Sequence, residues 1–478
     1  MPRIKVSLLS NQEIQTIHDA SLKILRDVGM VVHHAGVLKK LRECGARVDV
    51  ASKRARFDEV LVMNALQLAG KQFTLHGRNP EYQRCFGAGE CTLMSSPGQY
   101  AWFDYHTNQR RDPFLADAVA AAKVGELLPN IGLVGAMCVP LDVPAPLRDV
   151  VLMAEMVKVC AKPLRCWPVT RRSSHYVLEI CAAVAGGKEA LRQNPMVDTF
   201  LEPISPLQLP ETGLDVMLEF LEYGQPISIG PMSMAGGSGP VTLAGTLAQE
   251  NAEILAGITV IQCLKPGTPV MYGGIPHIMD LRTSICSFGS GEQGLMAVAM
   301  TELGKSYGLP VYINVNLSDA KRLDVQAGME KMGSLELGML AGADLFGHAG
   351  IVGTDHGGSL TWLAVDNEAF AFAQRMARGF ELDAETLALE VIEAVGPGGN
   401  YLSEAHTVRH LRSELWAPSQ LWTRQTFDGW LEAGGKDMEQ RAIAEIDRML
   451  TSHPGQTIEP GLALEIDRIV GAAKKELL

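Results

Sequence analysis

Polar and apolar positions along the chain fall into stretches of different period. From about Asn11 to Leu68, apolar residues such as Ile14, Ile17, Ile24, Leu25 and Val28 recur at helical spacing, which predicts a helical N-terminal region. Phe73 to Tyr105 is interrupted by glycines and by Ser95-Ser96-Pro97-Gly98, and its Tyr100-Ala101-Trp102-Phe103 segment alternates. Short strands and turns are expected there, ahead of a helix from about Phe114 to Leu128. Then one unit repeats: an apolar run, a turn rich in Gly, Pro and Ser, and a helical pattern. The runs are Ile131 to Val139, Leu164 to Val169, Thr199 to Ile204, Pro226 to Met232, Pro269 to Ile275, Pro310 to Asn316 and Asp344 to Val352. Runs without polar alternation imply strands buried on both faces, and spacings of roughly 30 to 45 residues hold one crossover helix each. With a first strand placed in Tyr100 to Tyr105 the count reaches eight. The expected fold class is therefore α/β, a (β/α)8 TIM barrel rather than an open doubly wound sheet. After Trp362 the segments Asn367 to Phe380, Glu385 to Val395, Thr407 to Leu415 and Gln440 to Leu450 read as helices. The expected organisation is a mainly helical N-terminal region over 1–95, the barrel over 96–380 and a helical C-terminal extension over 381–478.

Composition narrows the function. The 478 residues are 47% hydrophobic, enough for a large core, and 42 Lys and Arg against 54 Asp and Glu leave a net charge of −12. That balance argues against binding nucleic acid, whose affinity comes from cationic contacts to phosphate. No apolar stretch reaches the roughly 20 residues that cross a bilayer. The N-terminal Met1-Pro2-Arg3-Ile4-Lys5 lacks a secretory apolar run, so the expected location is cytoplasmic. Nine scattered cysteines with no Cys-x-x-Cys pair predict buried thiols rather than a disulfide framework.

Barrel chemistry sits at the carboxyl ends of the strands. The polar and aromatic residues there are Tyr105 and His106, Arg165 and Trp167, Glu202, Tyr272 and His277, Asn314 and Asn316, Asp319 with Lys321 and Arg322, and His348. Any one of them also reads as an ordinary hydrogen-bonded loop residue; convergence on one face is what points to function. The Gly230 to Pro240 loop lacks the Lys-Ser/Thr ending of a P-loop and reads as a tight turn. His406 and His410 are spaced for one helical face but lack the intervening Glu of a zinc-protease helix, so no metal site is expected. There is no Gly-x-Ser-x-Gly elbow and no regular pair of glycosidase carboxylates. A lining of aromatics and scattered cations suits a small cation over ring faces, with any carboxylate end met by Lys or Arg.

Several longer segments carry a resemblance. Gly239-Pro-Val-Thr-Leu-Ala-Gly-Thr-Leu-Ala248 followed by Asn251-Ala252-Glu253, Ser318 to Lys331, Val365-Asp366-Asn367-Glu368, and Gly399 to Thr407 leading into Arg412-Ser-Glu-Leu-Trp416 stand in order. In these the chain resembles the trimethylamine methyltransferase superfamily of corrinoid-dependent methyltransferases, which implies the same barrel. It also implies transfer of a methyl group from a methylated amine to the Co(I) corrinoid (cobalamin) of a partner protein. The founding members carry pyrrolysine and this sequence has only standard residues. It is therefore most similar to members acting on quaternary amines such as glycine betaine. No Asp-x-His-x-x-Gly cobalamin signature is present, so the corrinoid is expected on the partner.

The roles that follow from this resemblance are specific. Tyr272, Tyr312, Trp167 and Trp362 are expected to wall a quaternary ammonium. Lys321, Arg322 and His348 are expected to meet a substrate carboxylate, and Asp319 and Glu202 to favour the cation or orient these bases. His348, Asp319 and Glu202 form the expected catalytic set, with His277 and Asn316 as further substrate contacts. A homo-oligomer is expected from apolar C-terminal helices. Two other readings remain open at this point: a metal-assisted lyase or hydrolase using His277, His348 and Glu202, and a quaternary-amine binding protein without catalysis.

Overall fold

The computed structural model describes residues 3–478. Its centre is a sheet of eight parallel strands: Thr92–Ser95 (β1), Ile131–Gly135 (β2), Leu164–Arg165 (β3), Thr199–Leu201 (β4), Ile227–Ile229 (β5), Val270–Gly274 (β6), Val311–Asn314 (β7) and Leu345–Ala349 (β8). One helix follows each: Leu115–Leu127 (α1), Arg148–Val159 (α2), Arg171–Ala185 (α3), Glu211–Glu222 (α4), Leu243–Leu264 (α5), Gly291–Ser306 (α6), Val325–Ala341 (α7) and Leu360–Arg378 (α8). Backbone pairing runs β3-β2-β1-β8-β7-β6-β5-β4, and β8 closes onto β1 with Leu345 opposite Thr92. This is the (β/α)8 barrel that the repeat of buried runs implies.

The first strand is not where the alternation placed it. β1 is Thr92–Ser95, and Trp102–Phe103 instead joins a small sheet with Arg110–Arg111, Gly357–Gly358 and Ile351–Val352. The physical reason is burial: all four residues of Thr92–Ser95 are buried, as a barrel strand requires, whereas Tyr100 is 73% exposed. The short run Thr92-Leu93-Met94-Ser95 has polar ends and no Val or Ile, so its strand signal is weak.

β3 and β4 share no backbone ladder, so the barrel has one seam. Arg165 bridges it. Its Nε donates to Asp198 Oδ1 at 2.9 Å, its Nη2 pairs with Asp198 Oδ2, and the same group reaches Ser228 Oγ at 3.3 Å. Both charges are nearly inaccessible to solvent, a geometry that stays favourable only while both partners are present.

The lower end of the lumen is plugged. The hairpin of Phe73–His76 and Gln83–Phe86 inserts Phe73, Leu75 and Phe86 against Met94, Leu133, Met271 and Leu345. The helices Asn11–Lys23, Ala35–Glu43 and Glu59–Leu68 pack outside α5, where Ser21 Oγ donates to Ala248 O at 2.8 Å. At the other terminus, Met438–Ser452 covers α8 and α1, and Pro460–Leu477 covers α2 and α3.

Small sheets cap the carboxyl end. Loops after β1 and β8 build the one containing Trp102–Phe103, and loops after β5 and β6 pair Met234–Ala235 with His277–Asp280 and Ile285–Ser287. The mouth is left open above β3 and β4.

Candidate active site

Beneath that opening lies a cavity of about 590 Å³. Its walls come from the ends of β3 (Arg165, Trp167) and β4 (Phe200, Glu202), from Met232 after β5, from Tyr100 after β1, and from the first turn of α4 at Thr212 and Gly213. The rings form a chain running inward. Trp167, 43% exposed at the rim, is 6.3 Å from Phe200 between centroids, and Phe200 meets Tyr312 edge-on at 5.6 Å. The Arg165 guanidinium lies 5.7 Å from the Phe200 ring and 6.0 Å from that of Tyr312. Two glycines make room for these rings: a Cβ at Gly230 would stand 2.6 Å from Phe200 Cζ, and one at Gly347 would stand 2.6 Å from the Tyr312 hydroxyl.

Charge in the cavity is negative or cancelled. Burial, and secondarily the charge of Asp355, push the Glu202 carboxyl up to about 7; no hydrogen bond favours its ionised form. Arg165 is neutralised by Asp198. His348 shares a 3.0 Å hydrogen bond through Nε2 with the Tyr312 hydroxyl, and burial, reinforced by Arg165, depresses it to about 3. It is a neutral imidazole at physiological pH.

Polar groups without partners lie deeper, at the end of β7. β7 directs Tyr312 into the lumen and Asn314 follows on the same side by strand alternation. The buried Asn314 Oδ1 makes no hydrogen bond within the protein, and neither Nδ2 nor Oδ1 of Asn316 does. Asn316 adopts φ 64°, and its carbonyl is held by Lys331 Nζ at 2.9 Å. That lysine also pairs with the buried Asp366 carboxylate at 2.8 Å, whose other oxygen accepts from Gly350 N at 2.8 Å.

Of the residues expected from sequence, Trp167 and Glu202 line the cavity, and Tyr312, bonded to His348, stands behind Phe200, with Asn316 on the continuing strand. The others lie elsewhere. Tyr272 is on β6 but faces outward, its hydroxyl donating to Asn251 Oδ1 at 2.8 Å on α5, because odd and even positions of a buried strand point to opposite faces and composition does not say which. Trp362 is on α8, fully buried beside Val352 and Ala327, with Lys331 Nζ 4.8 Å from its ring centre. Lys321 and Arg322 are exposed on the loop after β7 and do not line the cavity. Asp319 ties the caps together: it accepts from Phe288 N at 2.7 Å and Thr354 Oγ1 at 2.6 Å, and from Ser287 Oγ. The N-cap of α7 is Asp324, not Asp319. His277 is buried in the β5–β6 cap, bonded to Ile275 O and packed on Phe288, and burial lowers its pKa. Sequence reasoning missed Phe200, Asp198, Asp355 and Tyr100 as site residues. Phe200 was findable, as the aromatic two residues before Glu202 on the same strand edge.

His406 and His410 do face one carboxylate. With Glu385 they form a group whose ligand atoms lie within 4.8 Å of one another, on the C-terminal extension and away from the cavity. His410 Nε2 is 3.0 Å from Glu385 Oε1, an oxygen shared with Arg409.

Fold and cavity together define a barrel enzyme with a candidate site at the carboxyl ends of β3 and β4. The chain belongs to the trimethylamine methyltransferase (MTTB) family, whose model matches residues 2–477. It is 31% identical over 476 residues to the glycine betaine methyltransferase of Desulfitobacterium hafniense strain Y51, covering 99% of this chain and 98% of that one. It is likewise 31% identical over 494 residues to the trimethylamine methyltransferase MttB of Methanosarcina barkeri strain Fusaro, covering 99% and 96%. In fold it is similar to the crystal structure of the Methanosarcina barkeri monomethylamine methyltransferase, with a TM-score of 0.50 over 95% of this chain and 97% of that one at 11% identity. The protein is a methyltransferase.

Proposed function

We propose that this protein removes a methyl group from a small quaternary amine and delivers it to the Co(I) corrinoid of a separate protein that docks over the opening above β3 and β4. The observation that carries the reading is the cavity itself: an aromatic wall of Trp167 and Phe200, backed by Tyr312 behind Phe200, with the Glu202 carboxylate, reached from outside through the gap the caps leave. The partner's reduced corrinoid supplies the nucleophile; the N–CH3 bond breaks with its electron pair kept by nitrogen, and the methyl carbon bonds to cobalt. A quaternary nitrogen leaves as a neutral tertiary amine, so no proton has to be moved.

The chain's own task is placement and exclusion. Ring faces and a carboxylate attract a fixed positive charge, each ring contact contributing about 0.5–2 kcal/mol. Phe200, backed by Tyr312 and fixed by its packing, limits how the ammonium tilts, and the apolar plug closes the lumen beneath them. The His348 and Tyr312 pair, hydrogen-bonded and neutral behind Phe200, holds that ring in place and supplies no acid.

The test is to mix the protein with reduced corrinoid and a panel of quaternary and tertiary amines while following methyl–cobalt formation by absorbance. Methyl transfer from a quaternary amine supports the reading, and its absence from every amine, with a control enzyme active, removes it. Nine unpaired thiols support a cytoplasmic setting. The exposed Leu387, Leu389, Ile392, Val408 and Leu411 of the C-terminal extension support association into a homo-oligomer, which sedimentation would check.

A further inference from the structure

The charges around the cavity say more about the substrate than its aromatic wall does. A zwitterionic betaine carries its carboxylate a few ångströms from nitrogen, so a site built for it places an unpaired cation within that reach. Among the residues lining the cavity the one cation is Arg165, and it is already committed. Its Nε and Nη2 pair with Asp198, and Nη1 turns to Met94 Sδ at 3.1 Å. His348 is neutral, and Lys321 and Arg322 stand outside on the loop after β7, where Lys321 Nζ is bonded to Asp319 O. What remains is Glu202 on the wall and Asp355 close enough to oppose its ionisation. The first turn of α4 contributes the positive end of a helix dipole at Thr212 and Gly213, about half a charge, which two carboxylates outweigh.

From this arrangement we infer that the preferred substrate is a quaternary ammonium cation without a carboxylate, of the choline or tetramethylammonium class, and that Glu202 is the residue that discriminates against betaines. The inference rests on the quaternary-amine reading and refines it. An incoming carboxylate meets Glu202 and Asp355 as like charges, with no free donor of opposite sign to compensate. A bare ammonium meets the same groups as counter-charges and gains the ring faces as well. A neutral polar tail is tolerated, since the cavity is roomy for a trimethylammonium group at about 590 Å³.

Binding and turnover are measured separately on the full chain. Calorimetry of the protein alone with choline, tetramethylammonium and glycine betaine gives Kd, and methyl transfer to reduced corrinoid gives KM for each. The expected result is a Kd for choline at least about tenfold below that for glycine betaine at pH 8. In E202Q the gap is expected to narrow to less than about threefold, chiefly through weaker cation binding. D355N, which removes a charge that acts on Glu202 without lining the cavity, is expected to narrow it less. Equal or tighter binding of glycine betaine by the unaltered protein overturns the inference and leaves the methyltransfer reading standing. A gap unchanged in E202Q overturns the role of that residue. Preferential choline binding with no methyl transfer from any amine supports the discrimination while sinking the methyltransfer reading, so the two fail separately.

Discussion

The Tyr312 hydroxyl and His348 Nε2 lie 3.0 Å apart on adjacent strands β7 and β8, at the point where the aromatic chain of the cavity reaches the lumen. His348 is held near 3, chiefly by burial, so it accepts or shares a hydrogen bond but carries no charge at working pH. Y312F removes one hydrogen bond and leaves the ring, so stability should fall by only about 1 kcal/mol. kcat should fall more than KM rises, because a freed imidazole no longer fixes the wall beside the reacting nitrogen. Steady-state kinetics with a urea melt of the same preparation check this, and unchanged kcat would remove the positioning role.

Glu202 sets the pH dependence. Its carboxyl is raised to about 7, so below that pH it holds a proton that a cation has to displace, and above it the charge is already present. KM for a quaternary ammonium should therefore be flat above pH 8 and climb toward about tenfold per unit below pH 7. E202Q should flatten the profile. The same raised pKa means the folded state binds this proton more tightly than the unfolded chain does. Its contribution to stability is present at low pH and lost as pH rises through about 7, so E202Q should melt no lower than the unaltered protein at pH 8. A profile of KM that keeps its acid limb in E202Q assigns the titration to another group.

How much of this was legible beforehand follows from what each signal measures. Seven of the eight strands stand out as apolar runs because parallel strands are buried on both faces, and β1 escaped because Thr92 and Ser95 are polar yet fully enclosed. The long segments shared with a known family mark braces more than the cavity. Glu250 and Glu253 on α5 hold Ser233 N, Ile275 N and Leu207 N at 2.9–3.1 Å, while Asn367 and Glu368 hold Asn130 and Trp422. Strand-end chemistry nominated Trp167 and Glu202, which line the cavity, and His348, which lies deeper beside Tyr312. The aromatic wall expected from the resemblance took in Tyr312, Tyr272 and Trp362 alike, because an aromatic in a buried element reads the same whether it faces the lumen or the helices. Lys321 and Arg322 failed for a different reason: charge near a strand end does not say whether a loop folds inward.

The pair of Lys331 and Asp366 joins α7 to α8 and, through Asn316 O and Gly350 N, fixes the ends of β7 and β8. Both side chains are almost wholly buried, so either K331M or D366N leaves one polar or charged group stranded, at a cost of about 3–5 kcal/mol where a full charge is left. K331M/D366L, which removes both charges, should recover more than half of that loss in a urea titration. Activity should stay low in K331M and in the double variant, because Asn316 O then loses its donor, whereas D366N keeps that donor. Additive losses in the double variant would show that the pair is not coupled.

Asn316 offers the sharpest separation of stability from function. Its carboxamide is buried with both polar atoms unpartnered, a state that costs the folded protein about 1–3 kcal/mol unless something else bonds to it. Its backbone stands at φ 64°, where alanine is strained and glycine is not, so N316G is the informative change. The carbonyl that Lys331 holds is kept in that variant. Relief of the stranded amide and the added chain entropy of glycine, roughly 1 kcal/mol, oppose one another, so Tm should move by only a few degrees. If the carboxamide meets the substrate, kcat/KM should drop by about tenfold or more while the melt stays in place. A variant with full activity and a higher Tm would make Asn316 an uncompensated structural cost rather than a substrate contact.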